Sequence, residues 1–261
     1  MIILFSPSKS QSHVFIEGST FQSSENIFFP ERTLNIIKKL KDMDKSEIQK
    51  VLKISPALSE KIFILYKKFE LYQYNENNSR PAIFSYKGSA YKSLSPETLN
   101  FNNIRYLQNF LLILSPLYGL LKPLNLVQEY RLEMTSKINI NGLNLLRYWS
   151  GPVTQKINEL SSNKKSNSLV NLSSNQYFKT INLDVLHVRL INITFLNHHR
   201  NEYKNIGLYS KKARGMMLRF LSTNNIYKCE DIKSFSEQGY SFSKEISSDT
   251  NYIFTRKVIS Y

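Results

Sequence analysis

The chain has 261 residues, with 35 Lys and Arg against 20 Asp and Glu, a formal net charge of +15, and 41% hydrophobic residues. That hydrophobic share excludes a disordered chain, and the length is enough to bury a core without disulfides or metals. The cationic surplus favours polyanions such as DNA, RNA or nucleotides; abundant Asn, Lys, Ile and Ser also follow from AT-biased coding, so the placement of the cations has to decide.

In chain order, Met1 to Phe5 reads as a short buried strand that ends at Ser6-Pro7. Residues 32–41 and 44–53 read as helices, the second opened by a capping box of Asp44 and Glu47. Ser55-Pro56 opens a third, with Ser as the cap and Pro where no N–H is needed. Residues 72–80 are polar and Asn-rich, which predicts a loop, and Pro81 to Tyr86 a strand ending at Gly88. Ser95-Pro96 repeats the cap-plus-proline device before a helix that includes Ile104 and Leu107.

Leu111 to Leu114 suits a fully buried strand, Pro152 to Leu160 a helix, residues 161–168 a loop, and Leu169 to Leu172 another buried strand. His187 to Leu196 alternates, with Ile191, Ile193 and Phe195 on one face. Ile206 to Tyr209 reads as a strand feeding a helix, and Asn251 to Lys257 as an edge strand. Strands interleaved with helices predict one α/β (α+β) domain over residues 1–261, with a mixed central sheet flanked by helices. Cys229 stands alone, and His13, His187, His198 and His199 have no metal-ligand spacing, so neither a metal nor a cofactor is expected. No stretch approaches the ~18–20 apolar residues of a membrane span, and Met1 to Phe5 is too short for a signal-peptide core, which predicts a cytoplasmic protein without membrane contact.

The strongest physical signal is Tyr209 to Leu221, YSKKARGMMLRFL. Ala213, Met216, Met217, Phe220 and Leu221 form an apolar stripe, opposite Lys211, Lys212, Arg214, Gly215 and Arg219. Three cations in a first turn oppose the helix dipole, by ~0.3–1 kcal/mol each, unless an anion binds there. Gly in a helix costs ~1 kcal/mol relative to Ala, a loss explained if a phosphate or a neighbouring backbone approaches it. Lys9 follows the first strand, where open α/β sheets keep their sites. Lys87 and Gly88 follow another, and Leu117 to Leu120 reads as a tight hairpin whose N–H groups grip a phosphate. Arg131 and Glu133 share a face if extended, and Asn175, Tyr177 and Lys179 lie just beyond a strand. Tyr148 and Trp149 read as core.

These blocks, in this order, resemble the YaaA-type peroxide stress family over nearly the full length. The matching stretches are residues 5–9, 86–91, 117–124 and 130–134, Tyr148-Trp149 with Val153-Thr154, then 171–174, 177–179, 209–215 and Gly239-Tyr240. The resemblance implies a compact fold with a basic cleft, a helix-hairpin-helix-like element, DNA binding, and survival of hydrogen peroxide by limiting iron-driven damage. By position it matches Gly119 to the hairpin glycine, and Lys9, Lys87, Arg131, Lys179, Lys211, Lys212 and Arg214 to cleft cations; Lys122 replaces a usual arginine. Ser89, Asn125, Gly151 and Asn175-Gln176 stand where acidic residues are usual, and Pro116 replaces a glycine, which makes the cleft more basic and leaves Glu133 as the main motif carboxylate.

The leading expectation is therefore sequence-independent binding of double-stranded DNA through Lys9, Lys87, Gly119, Lys122, Arg131, Lys179, Lys211, Lys212, Arg214 and Arg219. The alternative is an enzyme acting on a phosphorylated or nucleobase-containing small molecule, with Lys9, Arg131, Glu133, Tyr177 and Lys211 as its polar chemistry.

Overall fold

The computed structural model describes residues 1–12, 26–71, 73–75, 77–163, 167–199 and 202–257. His13 and parts of the loops read at 72–80 and 161–168 lie outside the described residues.

The strands are β1 (Ile2–Phe5), β2 (Ser79–Pro81), β3 (Leu111–Ser115), β4 (Gly119–Leu121), β5 (Leu126–Gln128), β6 (Ser168–Asn171), β7 (Arg189–His199), β8 (Glu202–Lys204), β9 (Ser241–Phe242) and β10 (Asn251–Lys257). The helices are α1 (Pro30–Asp42), α2 (Lys45–Leu52), α3 (Pro56–Lys68), α4 (Ala82–Ser85), α5 (Ser89–Leu94), α6 (Phe101–Phe110), α7 (Leu145–Asn163), α8 (Asn175–Phe178) and α9 (Gly207–Thr223). The main sheet runs β4-β3-β1-β6-β7-β10-β9, with β8 paired to the end of β7. Its five central strands, β3, β1, β6, β7 and β10, are parallel, and β4, β8 and β9 are antiparallel additions. The expected mixed α/β sheet is the observed one.

Continuous apolar runs make strands covered on both faces: all of β1 and β3 is buried. In β7 the alternation holds, with Ile191, Ile193 and Phe195 inward. The capping box of α2 is complete, Glu47 N–H donating to Asp44 Oδ1 and Asp44 N–H to Glu47 Oε2. Ser55 caps α3 by accepting from the Leu58 N–H.

Several expectations are corrected. Pro81 to Tyr86 is not a strand: β2 ends at Pro81 and the next residues coil into α4, whose side chains are all buried, so an apolar run without period fitted either state. Ser95 does not cap the helix that holds Ile104 and Leu107: it closes α5 in a left-handed conformation and leads into a single 3-10 turn (Pro96–Thr98) without a side-chain cap, and Asn100 caps α6. Helix α7 begins seven residues before Pro152, which lies inside it. Proline cannot donate to the carbonyl four residues back, and the freed Tyr148 oxygen accepts from Arg32 Nη1 at 3.0 Å. Residues 206–209 are not a strand, because α9 already starts at Gly207. Strand β10 is last but one in the sheet: the two-residue β9 pairs with its outer side at Phe254 and Thr255.

Candidate functional site: a cleft at the carboxyl edge

From β1 the chain goes to β3 on one side, and the next parallel strand, β6, pairs on the other side of β1. The connections leaving β1 and β6 therefore diverge, and such a switch point opens a crevice beyond the carboxyl ends of the strands. A cleft of about 280 Å³ lies there. The loop after β1 (residues 6–10) and the loop after β6 (Leu172, Ser174, Gln176, Tyr177) form two walls, and α5 (Ser89, Ala90, Tyr91) with α9 (Lys211, Arg214) form the others.

Hydrogen bonds hold these walls together. The Ser174 N–H donates to Ser6 Oγ at 2.9 Å, and the Tyr91 hydroxyl to the Ser6 carbonyl at 3.0 Å. Gly88 lies against Ser8, where a Cβ would fall 2.4 Å from Ser8 Oγ. Gln11 exchanges two hydrogen bonds with the Tyr130 backbone, which brings the segment carrying Glu133 beside the β1 loop. Along that segment Tyr130, Leu132 and Met134 are buried, so Arg131 and Glu133 share the outward side.

Arg214 is the most constrained cation of the cleft. Its Nε is buried, and the side chain has no hydrogen bond or ion pair among the described residues. Burial lowers its pKa, because the charged form has lost water without gaining a partner. Lys211, one turn earlier and exposed, also has no ion pair among the described residues. Lys9 is paired with Glu133 at 2.6 Å, and Glu133 lies 3.5 Å from Gln176 Nε2. Tyr177 lines the same space, its hydroxyl has no hydrogen bond among the described residues, and burial, then the Tyr130 and Glu133 charges, raise its pKa. A guanidinium without a counter-charge among the described residues, beside lysines and serine hydroxyls, has the chemistry to accept an anion with several oxygens.

Of the ten expected anion contacts, Lys9, Lys211 and Arg214 meet in this cleft. Lys212, on the same helix, lines a separate groove. Lys87 precedes Gly88 but is bonded to Glu97. Burial would raise the Glu97 pKa, yet the hydrogen bond and charge of Lys87, with the charge of Arg80, outweigh it and lower the value. Arg131 and Lys179 are not among the lining residues, and Lys179 is exposed after α8.

The structure corrects three readings. Gly119 opens β4 with φ +72°, and a Cβ there would lie 2.6 Å from the Trp149 ring. The turn before it is buried and its Tyr118 N–H donates to Ser115 Oγ, so no N–H of Tyr118 is left to grip a phosphate. Lys122 follows β4, which runs antiparallel to β3, and therefore lies at the amino ends of the parallel strands, near Ile2 and Leu111. Arg219 Nη1 donates to the Leu94 and Ser95 carbonyls at 2.9 and 3.2 Å, closing the carboxyl end of α5. The helix-dipole argument also falls: Lys211, Lys212 and Arg214 are in the second turn of α9, where the dipole has faded, so their side chains alone make the field.

Sequence reasoning missed Ser174 and Gln176 as cleft walls, and their only signal was position after a buried strand. Among the described residues no three His, Cys, Asp or Glu side chains converge as a metal site. None of the described helices is long and apolar enough to cross a membrane.

Comparison with known proteins gives a family and several relatives. The model of a family described as "Peroxide stress protein YaaA" matches residues 1–246. A UPF0246 protein of Francisella philomiragia subsp. philomiragia (strain ATCC 25017) is 41% identical over 258 residues, covering 98% of this chain and all of the relative. UPF0246 proteins of Francisella tularensis subsp. holarctica (strain LVS) and subsp. novicida (strain U112) are 40% identical over 256 residues, with the same coverage.

Proposed function

Because the chain belongs to the YaaA peroxide stress protein family, and so has its role in peroxide stress, we infer that it acts in the cytoplasm by binding DNA through the cleft at the carboxyl ends of β1 and β6. The observation that carries this reading is Arg214, half-buried, its buried Nε without a hydrogen-bond partner among the described residues, beside Lys211 and Lys9. A phosphodiester supplies the missing charge and the acceptor oxygens together. Phosphate contact positions a protein on DNA without reading bases, so binding is sequence-independent. Neutralised phosphates release their condensed cations, ferrous iron among them, which links coverage of DNA to protection from peroxide.

The test is the affinity of a labelled duplex for the wild type and for Arg214→Gln across a salt series. The wild-type affinity should fall steeply with salt, and the variant should bind weakly with a shallower slope, by about 0.9 for one lost phosphate contact. Equal affinity and slope in the two proteins would overturn the reading.

A second reading, an enzyme acting on a phosphorylated or nucleobase-containing small molecule, is favoured by one observation. Tyr177 and Glu133 adjoin the cations, and backbone contacts have no need of a phenol and a carboxylate. A thermal-shift screen of nucleotides decides: a specific nucleotide that stabilises the protein, with no stabilisation by DNA, selects the enzyme.

A further inference from the structure

The carboxyl edge of the sheet carries a second basic depression. Beyond the ends of β7 and β10 lies a groove of about 760 Å³, whose lining includes Ser89, Lys92, Tyr209, Lys212, Glu237 and Arg256. Arg256 is held rigidly there. It pairs in parallel register with Asn197, its Nε donates to Asn197 Oδ1 at 2.8 Å, and the same oxygen accepts from the Tyr240 hydroxyl at 2.9 Å. The guanidinium carbon lies 4.6 Å from the Tyr209 ring centre and 4.7 Å from that of Tyr240. Held against two rings, Arg256 keeps its terminal nitrogens free of partners among the described residues. Lys92 and Lys212 are exposed and have no ion pair among the described residues.

The α5–α9 seam separates this groove from the cleft. With about 100° between successive residues, Tyr209, Lys212 and Met216 fall on one side of α9 and Lys211 and Arg214 on the other. Gly215 lies between them and packs on Ala90 of α5. Ser89, the first residue of α5, lines both depressions. A small anion fills one of them; only a ligand with repeated anionic groups fills both.

We propose that the groove is a second phosphate seat, with Arg256, Lys92 and Lys212 as its contacts, and that cleft and groove hold successive phosphates of one DNA backbone crossing over Ser89. This rests on the DNA-binding reading of the cleft and extends it along the sheet edge. A guanidinium with two nitrogens free takes two phosphate oxygens at once, and two cation groups along one sheet edge suit the regularly repeated charges of a nucleic-acid backbone. An uncharged Ser89 leaves the crossing free of like charge for the backbone.

The experiment measures a labelled duplex against the wild type, Lys92→Ala/Lys212→Ala and Lys211→Ala/Arg214→Gln over a salt series, with circular dichroism confirming that each is folded. Each double variant removes two contacts, so each slope of log affinity against log salt should drop by about 1.8. The Lys92 and Lys212 side chains are exposed, so that variant keeps its fold. If Lys92→Ala/Lys212→Ala keeps the wild-type slope while the cleft variant loses it, the second seat is overturned and the cleft reading stands. If the cleft variant keeps the wild-type slope, or the wild type does not bind, the cleft reading fails and the track fails with it.

Discussion

Gly215 faces the Ala90 carbonyl so closely that a Cβ on it would lie 1.9 Å from that oxygen. The glycine is there to let α9 lie on α5, and the partner that approaches it is backbone rather than phosphate. Gly215→Ala gains about 1 kcal/mol of helix propensity, but it must push two backbones apart, and overpacking of this kind costs typically 1–3 kcal/mol or more. The variant should unfold at a lower urea concentration than wild type. An unchanged or raised midpoint would show that the two helices separate freely.

Arg219 is a cation spent on the fold. It donates to the Leu94 and Ser95 carbonyls and to Thr98 Oγ1, and a cation at a helix carboxyl end also complements the dipole. Arg219→Gln should lower stability by about 1–3 kcal/mol and leave the salt slope of DNA binding where it was. A lower slope with unchanged stability would return Arg219 to the binding surface.

How far the sequence reveals this site depends on the kind of evidence each part needed. Buried strands β1, β3 and β6 were legible because fully apolar runs have few alternatives, and the caps of α2 and α3 because their chemistry is local. Residues 82–85 and 206–209 were not, since short apolar runs fit a helical turn as well as a strand. Lys9, Lys211 and Arg214 were legible as cations near strand ends or on one helix. The roles of Lys87, Lys122 and Arg219 were not, because Glu97, the direction of β4 and the end of α5 are tertiary facts. Arg256 was missed for the same reason: it was read as part of an edge strand, and only the β7–β10 pairing places it beside Asn197.

Glu133 holds Lys9 at 2.6 Å on the rim of the cleft. The two side chains are 25% and 53% exposed, so the pair adds little to stability, but its carboxylate opposes any incoming phosphate. Glu133→Gln should therefore bind duplex DNA more tightly, with a steeper salt slope and an unfolding midpoint close to wild type. If instead affinity is unchanged while a nucleotide-dependent activity is lost, Glu133 is an acid–base group and the enzyme reading gains.

The buried tyrosines predict alkaline lability. The Tyr130 hydroxyl lies 2.9 Å from both Tyr86 and Ser115. Burial, partly offset by those hydrogen bonds, pushes its pKa up to about 12, and burial holds Tyr86, Tyr91 and Tyr118 well above the usual value near 10. Below pH 10 native and unfolded chains carry these protons equally. Above it the unfolded chain sheds them and the native chain keeps them, so each group removes up to about 1.4 kcal/mol of stability per pH unit until its native pKa is reached. Urea midpoints should fall steeply between pH 10 and about 12, and phenolate absorbance from these four should appear together with loss of the near-ultraviolet dichroism. Full phenolate absorbance near pH 10 from a chain that keeps its native dichroism would mean that water reaches this cluster, and that the floor of the β1 loop, where Tyr91 holds Ser6, is not the dry platform on which the cleft is built.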